Sequence, residues 1–518
     1  MKNRLLIHFV CIIFTCFLFY FSSLAKDKLP VDFEAWVENS RQDWKIPGMA
    51  IGIVKNGKVV YAKGYGFTKV ENGKKVDENT VFSIASVSKN ITAAALALLV
   101  DRGQINWDDK IVDHIPGFRM KNPWITNEIT IRDALTHRVG LGRILGNRLQ
   151  YMTNHSRDEV LFQMRYMDLE KPFRSTFVYN NVMYSLAGQI IEYVDGRTWD
   201  MFLLEEFFIP LEMKNSSTSI NALHNLENVA YPHQEIEGKI VQIKRRNWDN
   251  AGPAGGINAS VSDLNKWMLL QLGEAGEYKD RRLISSKQMK EMHTAQIIRG
   301  GETENNPALA YGFGWNVQYY EGYKVLTHGG ATDGFNTAMY LMPELDLGII
   351  VVANTFNSLG NAIAFQVFDA YLGKNYKDWN EHYLVNYKNK YQNAKKERKF
   401  IHDNRVQNTN RSLPINEYLG LYESESYGKL EVYLQGEDIY LKLWEDKEMT
   451  ARLEHWHFDT HRAIWNNIAM REEFVQFYLN TNGKIVYVEI DFVLRPKVLQ
   501  VGAYPSDYTR KVCFIKKN

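Results

Sequence analysis

The sequence predicts an α/β (α+β) body built on an antiparallel sheet, followed by a separate small all-β barrel or sandwich domain. Three observations carry this. Strand patterns open the body at Gly48–Gly64 and close it between Gly312 and Ala353, while the stretch between, from Trp107 to about Ser286, is mostly helical in period. The composition shifts to Lys, Asn, Glu and Tyr over Lys374–Ser412. Beyond it, Tyr418–Ile515 alternates apolar and polar residues and is rich in aromatics, the signature of antiparallel strands.

Taken in order, the chain begins as a targeting segment. Lys2 and Arg4 precede an apolar run, Leu5–Phe21, and Ser22-Ser23-Leu24-Ala25 supplies small residues for cleavage. Residues 1–25 therefore read as a signal peptide and the mature protein as periplasmic or secreted; if the run stays uncleaved, it is a membrane anchor. Membrane contact, transient or anchored, is expected through this segment alone. Cys11 and Cys16 lie in the run, which leaves Cys513 without an internal disulfide partner.

Residues 26–373 then form the first domain. Ala50–Val54 and Val59–Ala62 flank an Asn56-Gly57 turn and make a hairpin. The run from Ser86 through Ala93–Val100 to Gly103 reads as a buried helix with Gly103 as its C-terminal cap. Helices follow at Thr130–Thr136, Asp158–Met167, Val182–Val194 and Val261–Leu272. Strands return at Gly312–Tyr319, Tyr323–His328, Thr337–Met342 and Gly348–Ala353, and helix Ala362–Leu372 closes the domain. Residues 374–412 read as an exposed linker with some helical character, and 413–518 as the β domain, with strands at Lys429–Val432, Ile439–Leu443, Phe474–Leu479 and Ile485–Phe492.

With 62 basic and 60 acidic residues the formal net charge is +2, so no nucleic-acid partner is implied. The 13% aromatic content suits ordered globular structure.

Candidate chemistry centres on Ser86. It sits in the first turn of its helix, where free N–H groups gather, and Lys89 follows one turn on over the same face. A serine becomes a nucleophile once a neighbouring base takes its proton, and Ser-x-x-Lys is an acyl-enzyme spacing. The spacing alone is weak, since Ser23…Lys26 and Ser426…Lys429 share it. Partners strengthen it. Tyr179 and Asn181 end a polar turn just before an apolar helix; a tyrosine beside a cation can act as a base, and an asparagine amide can orient an amine or a carbonyl. His328-Gly329-Gly330-Ala331 ends a strand whose glycines let a substrate lie against it, and the Ala331 N–H can join that of Ser86 in an oxyanion hole.

In this order, Ser86-Val87-Ser88-Lys89, Tyr179-Asn180-Asn181 and His328-Gly329-Gly330 resemble the serine β-lactamase-related family. That family includes class C β-lactamases, D-alanyl-D-alanine carboxypeptidases, D-aminopeptidases and certain esterases. Trp107–Ile111, Leu135–Leu141 and Gly255–Ser260 look like it too, and the resemblance covers about Phe33 to Leu372. It implies a β-lactamase/transpeptidase-like sheet with a helical subdomain, Ser86 as acylated nucleophile, Lys89 and Tyr179 sharing the base work, and Asn181, His328, Gly330 and Ala331 binding substrate. It implies no metal and no organic cofactor. The substrate it implies is a small peptide, amide or ester, with peptidoglycan-type D-amino acid peptides foremost. True β-lactamases of this type carry Lys-Thr-Gly as third motif; with a histidine at 328 and no hydroxyl at 329, efficient β-lactam hydrolysis is not expected. The alternative function is a penicillin-binding or wall-peptide-binding protein with little turnover. His137 reads as structural.

One stretch invites a metal reading. On a single strand, His455, His457, Asp459 and His461 would face one side. The domain looks like the small β module often appended to this family, and the expectation is an amphipathic strand whose polar residues point outward or are hydrogen-bonded.

Overall fold

The computed structural model describes residues 29–142, 146–150, 153, 155–236, 238–273, 276–300, 309–374, 377–443, 447–468, 470, 473–491 and 511–517. The expected signal peptide, residues 1–25, and Cys11 and Cys16 lie outside the described residues.

The body is organised by one eight-stranded antiparallel sheet. Its strands are β1 (Gly48–Lys55), β2 (Lys58–Gly66), β3 (Ile297–Gly300), β4 (Leu309–Tyr311), β5 (Asn316–Tyr320), β6 (Tyr323–Thr332), β7 (Phe335–Met342) and β8 (Leu347–Ala353). They pair in the order β2-β1-β8-β7-β6-β5-β4-β3, so the two ends of the domain meet where β1 pairs with β8. The β1–β2 turn follows from its sequence, because Asn56 and Gly57 take φ of 50° and 70°, the left-handed values a tight hairpin requires.

Both faces of the sheet are covered, and the period of two sorts the side chains between them. On β8, Ile349, Val351 and Ala353 pack with helices α1 (Phe33–Asp43) and α5 (Leu359–Tyr371), while Ile350 and Val352 face the opposite core. That second core holds α2 (Ser88–Asp101), α3 (Asn181–Asp195), α4 (Val261–Gln271) and the shorter helices between them. α2 is buried along nearly its whole length, and Gly103 takes φ of 70° just past its end. The expected strand Gly312–Tyr319 is interrupted: β4 and β5 are separate, and Gly314 turns between them with φ of 77°.

The stretch read as a linker contains α6 (Trp379–Asp403), 25 residues long. Trp379, Tyr383 and Tyr387 recur every fourth residue and lay one stripe against α1 and α5, with the Trp379 indole donating to Asp369 Oδ2 at 2.7 Å.

The β domain is a closed barrel. Strands β9 (Gly420–Ser424), β10 (Gly428–Gln435), β11 (Asp438–Leu443), β12 (Thr450–His457), β13 (Thr460–Trp465), β14 (Glu473–Leu479), β15 (Ile485–Asp491) and β16 (Lys511–Lys516) pair in sequence, and β9 closes on β16. Closure leaves no free edge, and alternate residues such as Leu430, Val432, Leu441, Leu453 and Phe477 fill the interior. Cys513 is a free, exposed thiol. Among the described residues no helix is long and apolar enough to cross a membrane.

The histidine-rich stretch is not one strand. Phe458 takes φ of 46° and Asp459 sits beside it in the turn between β12 and β13, so the four side chains do not share a face. Asp459 accepts from Ser412 N at 3.0 Å, from Ser412 Oγ at 2.7 Å and from the Tyr418 hydroxyl. His461 is buried and accepts from Arg411 Nε at 2.9 Å, while His455 bonds the Phe458 carbonyl at 2.9 Å. The stretch clasps the incoming chain to the barrel.

Candidate active site

Ser86 lies in a single 3-10 turn, Ala85–Val87, that leads into α2. The turn is held open to the cleft by its neighbours. Ala85 takes φ of 48°, a value costly for a residue with a Cβ, and Ser88 Oγ donates to the Ala85 carbonyl at 2.7 Å while accepting from Ile257 N at 3.1 Å. Strand β6 closes on the other side. A Cβ at Gly330 would sit 2.1 Å from the Ile84 carbonyl oxygen, so only glycine lets the strand come this near. Gly329, one residue earlier, faces open space with nothing nearer than 3.8 Å.

Lys89 is fully buried, and the neighbours of its Nζ include three oxygens, Ser86 Oγ at 3.3 Å, Asn181 Oδ1 at 2.8 Å and the Ala254 carbonyl at 2.6 Å. Two of the three can only accept. An ammonium uses its three protons on all of them; a neutral amine keeps two for Asn181 and Ala254 and turns its lone pair to the Ser86 hydroxyl. The Tyr179 ring centroid lies 4.8 Å from the same nitrogen and that of Tyr184 5.4 Å away.

Tyr179 and Asn181 reach this point through the turn that precedes α3. Asn180, not Asn181, caps the helix: its side chain accepts from Val182 N at 2.8 Å and donates to Gly142 O at 2.7 Å, which leaves Asn181 in the first turn facing Lys89. His137, buried with φ of 57°, backs this turn. Its Nδ1 accepts from Asn180 N at 3.2 Å, and its ring lies between those of Tyr179, Tyr184 and Tyr311, at 4.4, 5.2 and 5.2 Å.

His328 is buried on β6. Its Nδ1 donates to the Gly329 carbonyl at 2.8 Å, so Nε2 accepts the Tyr311 hydroxyl at 3.1 Å. Burial, aided by the Lys89 charge, pushes its pKa down to about 3, so the ring is neutral at any working pH. Ala331 is part-exposed one residue past Gly330. Of the residues singled out from the sequence, Ser86, Asn181 and Tyr179 thus meet around Lys89 Nζ, His328 stands near the Tyr179 ring, and Gly330 lies against the segment that presents Ser86.

The family model described as Beta-lactamase matches residues 33–371, most of the chain. The chain belongs to the beta-lactamase family. A second model, a domain of unknown function (DUF3471), matches residues 404–501. The unguisins hydrolase ungD' of Aspergillus campestris is 28% identical over 450 residues, which span 82% of this chain and 81% of the relative. Protein flp of Staphylococcus aureus is 29% identical over 322 residues, 61% of either chain. Among solved structures, the octameric penicillin-binding protein homologue from Pyrococcus abyssi superposes with a TM-score of 0.58 at 22% identity, covering 94% of this chain and 99% of that one. SurE superposes at 0.54 with 18% identity, covering 88% and 96%. At these identities the two structures show the fold.

Within this beta-lactamase-family hydrolase the structure also brings forward residues that the sequence did not single out. The Ala254 carbonyl holds Lys89, next to the Gly255-Gly256 stretch that had marked the region. Tyr184 on α3 and Tyr311 on β4 are two of these, each with its ring 5.2 Å from that of His137. Asp133, wholly buried, takes Thr130 N at 2.9 Å, Arg174 Nη2 at 2.7 Å and Arg138 Nε, tying the turn of Tyr179 to that of His137. Burial raises its pKa, and the hydrogen bonds from Arg174, Thr130 and Arg138 outweigh burial and hold it below the ordinary value.

Proposed function

We propose that the protein is an exported serine hydrolase that works through an acyl-enzyme on Ser86 and cleaves peptide, amide or ester bonds, with D-amino acid peptides as the foremost substrates. The observation that carries this is the buried Lys89 amine, 3.3 Å from Ser86 Oγ and fixed from behind by two acceptors. In the first step the Lys89–Tyr179 pair takes the Ser86 proton and Oγ attacks the carbonyl carbon. The oxyanion is held by the N–H groups of Ser86 and Ala331. Collapse breaks the bond to the leaving nitrogen or oxygen, which departs with the proton from the pair. In the second step water gives a proton to the same pair, its oxygen attacks the ester, and Ser86 is released with its hydroxyl restored. Asn181 orients Lys89, and β6 positions the acyl group.

The substrate class draws support from two relatives: one is named a hydrolase of unguisins, and SurE has been solved with D-Leu. Neutral His328 and the missing hydroxyl at Gly329 argue for slow β-lactam turnover. Purified protein offered a D-Ala-D-Ala peptide, short-chain nitrophenyl esters and nitrocefin tests the reading. Turnover of the first two that disappears in Ser86→Ala is expected. Binding of the peptide without turnover, with Tyr179→Phe indistinguishable from wild type, would leave a binding protein instead.

A further inference from the structure

At the Thr332 end of β6 lies a small recess of ≈ 20 Å³ whose wall includes Ser83, Arg245, Asn258, Thr332 and Phe335. Its chemistry is unbalanced. Arg245 Nη2 donates to the Ala230 carbonyl, and the guanidinium lies over the Phe335 ring at 5.1 Å, yet its buried Nη1 has no hydrogen-bond partner. Thr332 Oγ1, in the same wall, is also buried without a partner. The nearby carboxylates are engaged elsewhere: Asp333 pairs with Arg246 at 2.6 Å, and Asp249 accepts from Ser219 Oγ at 2.6 Å and Ile220 N at 3.0 Å. No carboxylate pairs with Arg245 among the described residues. Burial holds the guanidinium down to about 10, still a cation at neutral pH. A half-buried cation whose inner nitrogen is idle, with an idle hydroxyl in the same wall, is costly unless something anionic fills the gap.

Position says which part of a substrate would reach it. β5 pairs with β6 only as far as Thr327, while β7 follows β6 to Thr332, so among the described residues one edge of β6 from His328 to Thr332 has no strand beside it. An extended substrate can lie along that edge past Ser86. The groups that must hand a proton to the leaving atom stand at its His328 end, where the Tyr179 ring lies 6.4 Å from that of His328. The leaving group therefore points toward His328, and the acyl part runs the other way, over Ala331 toward Thr332, one residue or about 3.3 Å further on.

We propose that this recess is a subsite for a carboxylate carried by the acyl part of the substrate, gripped by Arg245 Nη1 and Thr332 Oγ1. The proposal rests on the Ser86 acyl-enzyme reading and adds a substrate class to it: acyl groups that end in an acid a short chain away from the scissile carbonyl.

Two esters with the same leaving group test it: p-nitrophenyl valerate and mono-p-nitrophenyl glutarate, which differ in a terminal carboxylate. Wild type should favour the glutarate ester in kcat/KM by about 10- to 100-fold, the value of a charge-assisted hydrogen bond to a buried partner. Arg245→Gln should bring that ratio close to one, and Thr332→Val should lower it several-fold. Equal rates on the two esters in wild type, or a preference kept by Arg245→Gln, would overturn the proposal. If Arg245→Gln does not fold, the wild-type ratio and Thr332→Val decide. Failure of both esters, with no labelling of Ser86 by a fluorophosphonate, would instead remove the hydrolase reading on which the proposal stands.

Discussion

Gly330→Ala and Gly329→Ala differ by one position on β6 and should differ sharply in effect. The added methyl at 330 would fall 2.1 Å from the Ile84 carbonyl oxygen and 3.3 Å from the Ala85 Cβ, both in the backbone segment that presents Ser86. A carbon and a carbonyl oxygen need more than 3 Å, so β6 and the serine turn must part by about 1 Å, and displacement on that scale costs roughly 100-fold in rate. The overpacking itself costs on the order of 2 kcal/mol, which in a body of this size lowers the melting temperature by only about 3 °C. The methyl at 329 meets nothing within ordinary contact except the Thr337 carbonyl oxygen at 3.8 Å. It leaves fold and serine turn in place and touches only what enters the cleft. Initial rates on a nitrophenyl ester, with melting curves for both variants, separate the two effects. A Gly330→Ala protein with wild-type kcat/KM would refute the close approach of β6 to the serine turn.

Other perturbations follow from the same contacts. Lys89→Met should cut ester turnover by about 10²- to 10⁴-fold and lower stability by roughly 1–3 kcal/mol, because the Ala254 carbonyl and Asn181 Oδ1 lose their donor; wild-type turnover in a folded variant would contradict this. Burial pushes His293, His328 and His461 each down to about 3 from the ordinary 6.5. The unfolded chain therefore binds protons first as pH falls, and stability present above about pH 6.5 is lost toward pH 3, on the order of 2–3 kcal/mol per histidine at pH 4.5. Melting temperatures that stay flat from pH 7.5 to 4.5 would contradict it. Asp459→Ala strands the Tyr418 hydroxyl and both Ser412 donors, so it should cost about 2–3 kcal/mol in the barrel and speed protease cutting near residue 412, with ester hydrolysis unaffected.

What was legible in the chain was whatever a short window contains. The Asn56-Gly57 hairpin, the buried Ser86 helix and the alternating strands each announce themselves by local period or turn chemistry. The three motifs were legible as types, and their order raised them above chance. What was hidden depends on distant packing. Gly314 breaks an apparent strand because a side chain there would strike the Asn90 Cα at 2.6 Å, on a helix more than 200 residues away in sequence. The aromatic stripe of α6 was masked by lysines and asparagines that dominate the average composition of that stretch. The turn at Phe458 that splits the histidine-rich stretch was hidden because Asp459 sets it by reaching back to Ser412 and Tyr418. The orphaned groups of Arg245 and Thr332 have no sequence signal, since a missing partner is visible only in three dimensions.

The most direct test of the account is the intact mass and peptide map of the protein after reaction with a fluorophosphonate probe. One adduct is expected, on the peptide that holds Ser86, absent from Ser86→Ala and strongly slowed in Lys89→Met. An adduct on any other residue, or none on folded wild-type protein, would contradict the claim that the buried amine of Lys89 makes Ser86 a nucleophile.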